Sequence, residues 1–326
     1  MSASSRTLSA TRLLNVVGPW LGLVLVIGLF SLSSEVRPYF LTGANFKIVL
    51  IQTVIVAIGT LGMTLIIVSG GIDLSVGSVV ALTSVVGATA LVKGCPPLVA
   101  VALTIAMGAG VGLINGLTIG GLRMMPFIVT LGMMGVARGA AKWLSGSQTV
   151  NAPETPINNV MALTDPTHLF PMPPGVWITV GLAVVMALVM RETVFGRYVF
   201  AIGANETAAR LSGIRVRLQK MIIYVVAGLF FGLAGLMQLS RLTQGDPTVA
   251  IGLELDIIAA VVIGGASLSG GSGSILGSMI GALIMAVLRN GSNQMGWPTY
   301  VQEIIIGVVI IIAVGLDKLR QSRMKA

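Results

Sequence analysis

The sequence predicts an all-α polytopic membrane protein of about ten transmembrane helices, some of them broken. Three observations predict it. Only 10% of the 326 residues are charged and 55% are hydrophobic, against about 25% charged in an ordinary soluble domain. Mean hydropathy is +0.97. Apolar segments of bilayer-crossing length recur from residue 13 to residue 316, and a helix spanning about 30 Å of hydrocarbon takes about 20 such residues. Too few polar side chains remain to coat a water-soluble globule. That excludes a soluble enzyme, a disordered chain and a secreted disulfide scaffold. The chain reads as one membrane domain over residues 1–326, with its spanning core over 13–316.

Residues 13–33 form the first span; they are too long and too glycine-punctuated for a signal peptide and read as retained. Residues 48–68 and 74–92 follow, interrupted by the Ser-Gly-Gly-Ile-Asp of 69–73. The fourth span, 98–118, carries Gly108, Gly112 and Gly116 at helix-packing intervals, where small residues let backbones approach closely in lipid. Residues 126–144 and the short 176–190 are the fifth and sixth. The seventh, 221–240, repeats the pattern with Gly228, Gly232 and Gly235. Residues 257–288 hold no charge, which is too long for one span and short for two. Five Gly within 264–273 break them into helices 248–267 and 274–289. Residues 300–316 are the tenth.

Ten spans put both termini on one side. With that side cytoplasmic, Arg191, Arg197, Arg210, Arg215, Arg217 and Lys220, and the C-terminal Lys318, Arg320, Arg323 and Lys325, all fall inside, as the positive-inside rule expects. The net charge of +9 is thereby explained as loop charge, and no nucleic-acid partner is expected. The two longest non-membrane stretches are 145–173, outside, and 191–220, inside.

Several chemistries are missing. No Walker-type phosphate loop is present, so a nucleotide that powers this chain binds elsewhere. The single His168 lies in a Pro-rich outer loop and the single Cys95 has no ligand spacing around it, so neither a metal site nor an internal disulfide is expected. An intramembrane metalloprotease is excluded, and His168 is misplaced for a serine protease. No enzyme activity and no cofactor are expected.

The nine residues 70–78 (GGIDLSVGS) and 264–272 (GGASLSGGS) match at six positions. Paired glycine-interrupted segments mark repeat-built transporters with unwound helices near the pathway. The span count puts both blocks on the inner side, so either the repeat is parallel or a half-helix is miscounted. Asp73 lies between two apolar stretches. It either caps the helix beginning near Leu74 or lines a path, together with Ser75 and Asn115; Ser267 and Ser269 are the counterparts in the second block. Arg138, thirteen residues into its span, needs a partner in lipid, and Glu254, Asp256 or Glu303 is expected to pair with it. Gln52, Asn115, Gln238, Asn290, Asn293 and Gln294 supply amides at membrane depth, suited to a polyhydroxylated solute or to interhelical hydrogen bonds.

The inner loop 191–220 holds a short helix with both ends marked. Asn205 is a good N-cap, Glu206 complements the dipole, Ala208, Ala209, Arg210 and Leu211 favour helix, and Gly213 stops it. At about 10 Å it is marginal alone. It either docks into a partner's groove or lies against lipid headgroups.

These residues resemble a known family. The blocks 70–77 (GGIDLSVG), 126–132 (PFIVTLG), 201–214 (AIGANETAARLSGI) and 254–256 (ELD) through 264–271 (GGASLSGG) look like the signature blocks of ribose-type ABC importer permeases. The resemblance covers nearly the whole chain. It implies a fold similar to the cobalamin importer's permease, monosaccharide import across a bacterial inner membrane, a second permease subunit, a cytoplasmic ATPase and a periplasmic sugar-binding protein. It makes Asn205 to Gly213 the coupling helix seated on the ATPase. Ala204, where Gly or another small residue is expected, is the one visible departure. Rival readings are a related ABC permease for branched-chain amino acids, nucleosides or a furanosyl signal, and an ion-coupled secondary transporter working through Asp73, Glu254, Asp256 and Glu303.

Overall fold

The computed structural model describes residues 3–34, 36–162 and 172–325; His168 lies outside them. Among the described residues the chain is almost entirely helical. In order come α1 (Ala3–Ser31), α2 (Arg37–Phe40), α3 (Gly43–Val68), α4 (Val76–Val92), α5 (Pro97–Gly116), α6 (Pro126–Ser145), α7 (Pro174–Glu192), α8 (Val194–Ala204), α9 (Glu206–Leu211), α10 (Val216–Leu242), α11 (Leu253–Ile263), α12 (Ile275–Gln294) and α13 (Thr299–Lys325). Each of the ten expected spans overlaps one of these helices, though not every one of these helices is long enough to cross a bilayer. Five are long and apolar enough to cross a membrane by length and composition: α3, α5 with its π-helical extension to Gly121, α7, α10 and α12. This is the build of a polytopic membrane protein.

The layering follows from side-chain size. α3 is enclosed by α10, α12, α11 and α7, and Ile58, Leu61, Leu65, Ile66 and Ile67 on it are fully buried. α10 runs along α5 because Gly108, Gly112 and Gly116 leave room for the backbone of Gly228, Tyr224 and Met221. The outward sides of α1, α5, α6, α7 and α13 expose large apolar residues such as Leu25, Leu98, Val136, Leu188 and Ile311. In water such faces would aggregate; against lipid tails they are the favourable surface.

Two elements depart from expectation. The expected span 248–267 is the eleven-residue α11, about 16 Å long and half a bilayer. Residues 243–252 before it turn back into the protein as irregular backbone. Gln244–Gly245 pairs antiparallel with Val150–Asn151, and Ala250 reaches Gly77 at the start of α4. Such backbone is tolerated at depth only where protein satisfies it, and here Arg138 does so. Residues 191–220 also hold more structure than expected: α8 precedes α9 and packs on α7 and α3.

The segment 145–173 is tied down as far as it is described. Thr155 and Asn158 form a capping box at the 3₁₀ turn Pro156–Val160. Ser240 Oγ accepts from Met161 N at 3.0 Å and donates to Ile157 O at 2.6 Å.

Candidate functional site

Three groups of expected residues fall at one end of the helix bundle, the end bearing α9. The first is α9 itself. Asn205 Oδ1 accepts from Ala208 N at 3.0 Å, a side-chain N-cap. Gly213 closes the far end in the left-handed region at φ +85°, where a side chain would be strained. Ala209, only 4% exposed, packs inward with Ile202 and Val216. The pair Ala208–Ala209 therefore does not present one outward face. Ala208 points away from this cluster, and Leu211, 84% exposed, is the apolar group that projects.

Glu206 ties α9 to the start of α10. Its two oxygens accept from Lys220 Nζ at 2.6 Å and from Arg210 Nη2 at 3.1 Å. These cations, Lys220 first, hold its carboxyl below the ordinary value of 4.5. A carboxyl lowered on folding stabilises the fold fully above that value and loses the effect as pH falls through the lower, folded value. The tether should therefore persist from neutral pH down to about 4.5 and weaken only below. Glu206→Gln should remove that acid dependence, read as protection of the α9 amides from hydrogen exchange across pH 3–6. Identical profiles for the two proteins would contradict the tether.

The second group is the first glycine-rich block. Asp73 is 1% exposed. Its Oδ1 accepts from Ser75 N at 2.7 Å and Ser75 Oγ at 2.6 Å, and Asn115 Nδ2 lies 3.3 Å from both Asp73 Oδ2 and Ser75 Oγ. Asp73, Ser75 and Asn115 are thus brought together. The helix begins at Val76, with Ser75 and not Asp73 in the N-cap position. Asp73 instead closes a turn two residues ahead, accepting a backbone N–H that nothing else would satisfy. Asp73→Ala should cost about 1–3 kcal/mol through the orphaned donors, while Asp73→Asn, which keeps Oδ1, should retain most uptake. Thermal unfolding in detergent and transport assays check both, and equal damage from the two would assign Asp73 a role beyond this turn.

The third group is the second block. Ser267 Oγ accepts from Ser269 N at 3.2 Å, the same two-residue reach that Asp73 makes to Ser75. The cap of α12 is Ser274, whose Oγ accepts from Gly277 N at 3.0 Å, so neither Ser267 nor Ser269 caps it. The two blocks lie side by side: Gly271 N donates to Val68 O at 2.9 Å. Gly203, at the end of α8, sits against Val68, Gly270 and Gly271. This three-way backbone junction had no signature in the sequence beyond its glycines.

The expected pairing of Arg138 with Glu254, Asp256 or Glu303 does not form among the described residues. Arg138 Nη1 donates to Pro247 O at 2.8 Å and Val249 O at 2.7 Å, holding the segment before α11. Asp256 Oδ2 instead takes Arg289, at 2.6 Å from Nη2 and 2.7 Å from Nε. Glu254 lies against Gly77. The carbonyls win Arg138 because irregular backbone at depth leaves acceptors that have no water.

Among the described residues no group of His, Cys, Asp and Glu could hold a metal ion. The family model described as branched-chain amino acid transport system, permease component, matches residues 45–314. The chain is 41% identical over 300 residues to the ribose import permease protein of Escherichia coli (strain K12), covering 92% of this chain and 93% of that one. It is 40% identical over 307 residues to the ribose import permease protein of Bacillus subtilis (strain 168), covering 94% of each. The L-arabinose ABC transporter permease protein of Azospirillum brasilense is 35% identical over 306 residues, 94% of this chain and 89% of that one. No solved structure matches. With most of its length matched in this way, the chain belongs to the permease-component family of the branched-chain amino acid transport systems, whose members are transport subunits and not enzymes.

Proposed function

We propose that the chain is the membrane subunit of a bacterial ABC importer for a monosaccharide, driven by a separate ATPase and loaded by a periplasmic sugar-binding protein. The observation that carries the sugar assignment is the identity of about two residues in five to ribose import permeases over nine-tenths of the chain. Ten crossings, both termini cytoplasmic, residues 145–173 periplasmic and 191–220 cytoplasmic complete the reading, with a fold similar to the cobalamin importer's permease. Two such subunits, alike or different, embedded in lipid, would enclose the path.

The chain does no chemistry in this reading. ATP binding closes the two ATPase domains and moves α9, Gly203 passes the motion to both glycine-rich blocks, and the broken helices α4 and α11 tilt. Each state must be favoured differently by nucleotide or loaded binding protein, or nothing is coupled. The enclosed Asp73, Ser75 and Asn115, with Ser267 and Ser269, then act as the turns about which the path opens. The family description favours a second reading, import of a branched-chain amino acid.

The test is co-purification with the ATPase and binding protein encoded beside it, followed by reconstitution in vesicles. D-ribose, L-arabinose or D-fructose should raise ATP hydrolysis and be accumulated. Stimulation by L-valine and not by any sugar would select the second reading. Uphill uptake by the chain alone, without an ATPase, would overturn both.

A further inference from the structure

At the end of the bundle opposite α9, a cavity of about 280 Å³ opens among α3, α10, α11 and α12. We propose that it is a monosaccharide subsite in each subunit, which takes the sugar before it enters the path enclosed by the two subunits. The proposal rests on the sugar-importer reading and deepens it.

Its polar lining comes from four helices: Gln52 of α3, Gln238 and Arg241 of α10, Asp256 of α11, Arg289 and Asn293 of α12. Two of these groups are incomplete. Asp256 is 3% exposed and spends only Oδ2 on Arg289; Oδ1 has no hydrogen-bond partner. Gln52 Oε1 is likewise buried and unpartnered. A buried acceptor left empty costs free energy, and a sugar hydroxyl is a donor and an acceptor at once. Arg241 makes no ion pair among the described residues, so its planar fork is free to donate to vicinal oxygens. Val249 and Leu253 supply an apolar floor, suited to the C–H face of a ring.

Size narrows the ligand. The volume is at the lower limit of small-molecule pockets, about 300–1,000 Å³, enough for one monosaccharide and too small for a disaccharide or a short peptide. The charge of the lining does not separate a sugar from an amino acid, because the free fork of Arg241 would take a carboxylate and Asp256 Oδ1 an ammonium; the choice of a sugar follows the ribose import relatives. The floor is also placed to respond: it belongs to the segment that Arg138 holds through the carbonyls of Pro247 and Val249.

The experiment uses the full complex with its ATPase and binding protein. Gln52→Leu and Arg241→Met each remove a group offered to the sugar without breaking the Asp256–Arg289 pair. Each should lower the maximal uptake rate of D-ribose, or of whichever of D-ribose, L-arabinose and D-fructose the wild-type complex accumulates, about tenfold at equal amounts of assembled complex. Arg241→Lys should recover part of it. A second measurement needs no uptake: with Cys95→Ser and Gln238→Cys in the complex, the accumulated sugar should slow labelling by a small thiol reagent and L-valine should not. A wild-type complex that accumulates sugar, with unimpaired variants and no protection, overturns the subsite and leaves the importer reading intact. A wild-type complex that accumulates no sugar overturns both.

Discussion

Leu211→Asp should abolish assembly with the ATPase and sugar uptake while leaving membrane insertion and thermal stability unchanged. The expectation follows from how α9 is held. Six residues do not make a stable helix in water. This one persists because Asn205 caps it, Gly213 ends it in the left-handed region, Ala209 is sunk between Ile202 and Val216, and Glu206 bonds Lys220. All four devices are made within the chain itself and leave Leu211 unused. Leu211 faces away and is 84% exposed. Burying such a side chain on a partner contributes about 1.5–3 kcal/mol, or about a tenfold to hundredfold gain in affinity. An aspartate loses that gain and adds an unpaired charge to a dehydrated contact. Leu211→Met, similar in volume, should keep the complex. Ala209→Asp should fail differently, by breaking the small cluster under α9 and lowering the unfolding temperature of the isolated chain. If Leu211→Asp still co-purified with the ATPase and transported, α9 would not be the coupling helix.

The helices were legible in the sequence to the extent that lipid dictates them. A bilayer admits few lengths and few charges, so spans such as 126–144 and 176–190 emerge as α6 (Pro126–Ser145) and α7 (Pro174–Glu192) almost to the residue. The cap and stop of α9 were equally legible, because capping is local chemistry written within nine residues. The short α11 was not. Its apolar run continues on both sides, and nothing in 247–252 announces that these residues re-enter as irregular backbone; the carbonyls of Pro247 and Val249 are satisfied by Arg138, more than a hundred residues away. The partner of Arg138 was misread for the same reason. A carboxylate is the obvious mate for a buried guanidinium in a sequence, while a freed carbonyl is invisible there. Likewise α8 was read as loop because its eleven residues are too short to span and its role is to support α9 from beside α3 and α7. Asp73, Ser75 and Asn115 meet because a polar residue in an apolar run must find company, and few candidates are available.

Gly203→Ala should be the most damaging single methyl group in the chain. A Cβ at residue 203 would overlap the carbonyl oxygen of Val68, and it would lie 2.6 Å from the amide nitrogen of Gly271. Those two atoms are the acceptor and donor of the hydrogen bond that joins the first block's preceding helix to the second block. Both obstacles are backbone, so no rotamer change makes room. The segments must separate, at about 1–3 kcal/mol for the overpacking and about 1 kcal/mol more for a lost buried hydrogen bond. Residue 203 stands two positions before the Asn205 cap, so the displaced piece is the root of α9. The effect on transport should therefore exceed the effect on stability: uptake lost, the unfolding temperature lowered by several degrees, the ATPase still bound through Leu211 but its hydrolysis no longer raised by loaded binding protein. Gly110→Ala on α5, where a Cβ meets nothing within 4 Å, is the control and should change neither. If Gly203→Ala retained sugar-stimulated hydrolysis and uptake, the coupling motion would have to bypass this junction, and α9 would have to reach the broken helices by another route, through the Glu206–Lys220 tether to α10.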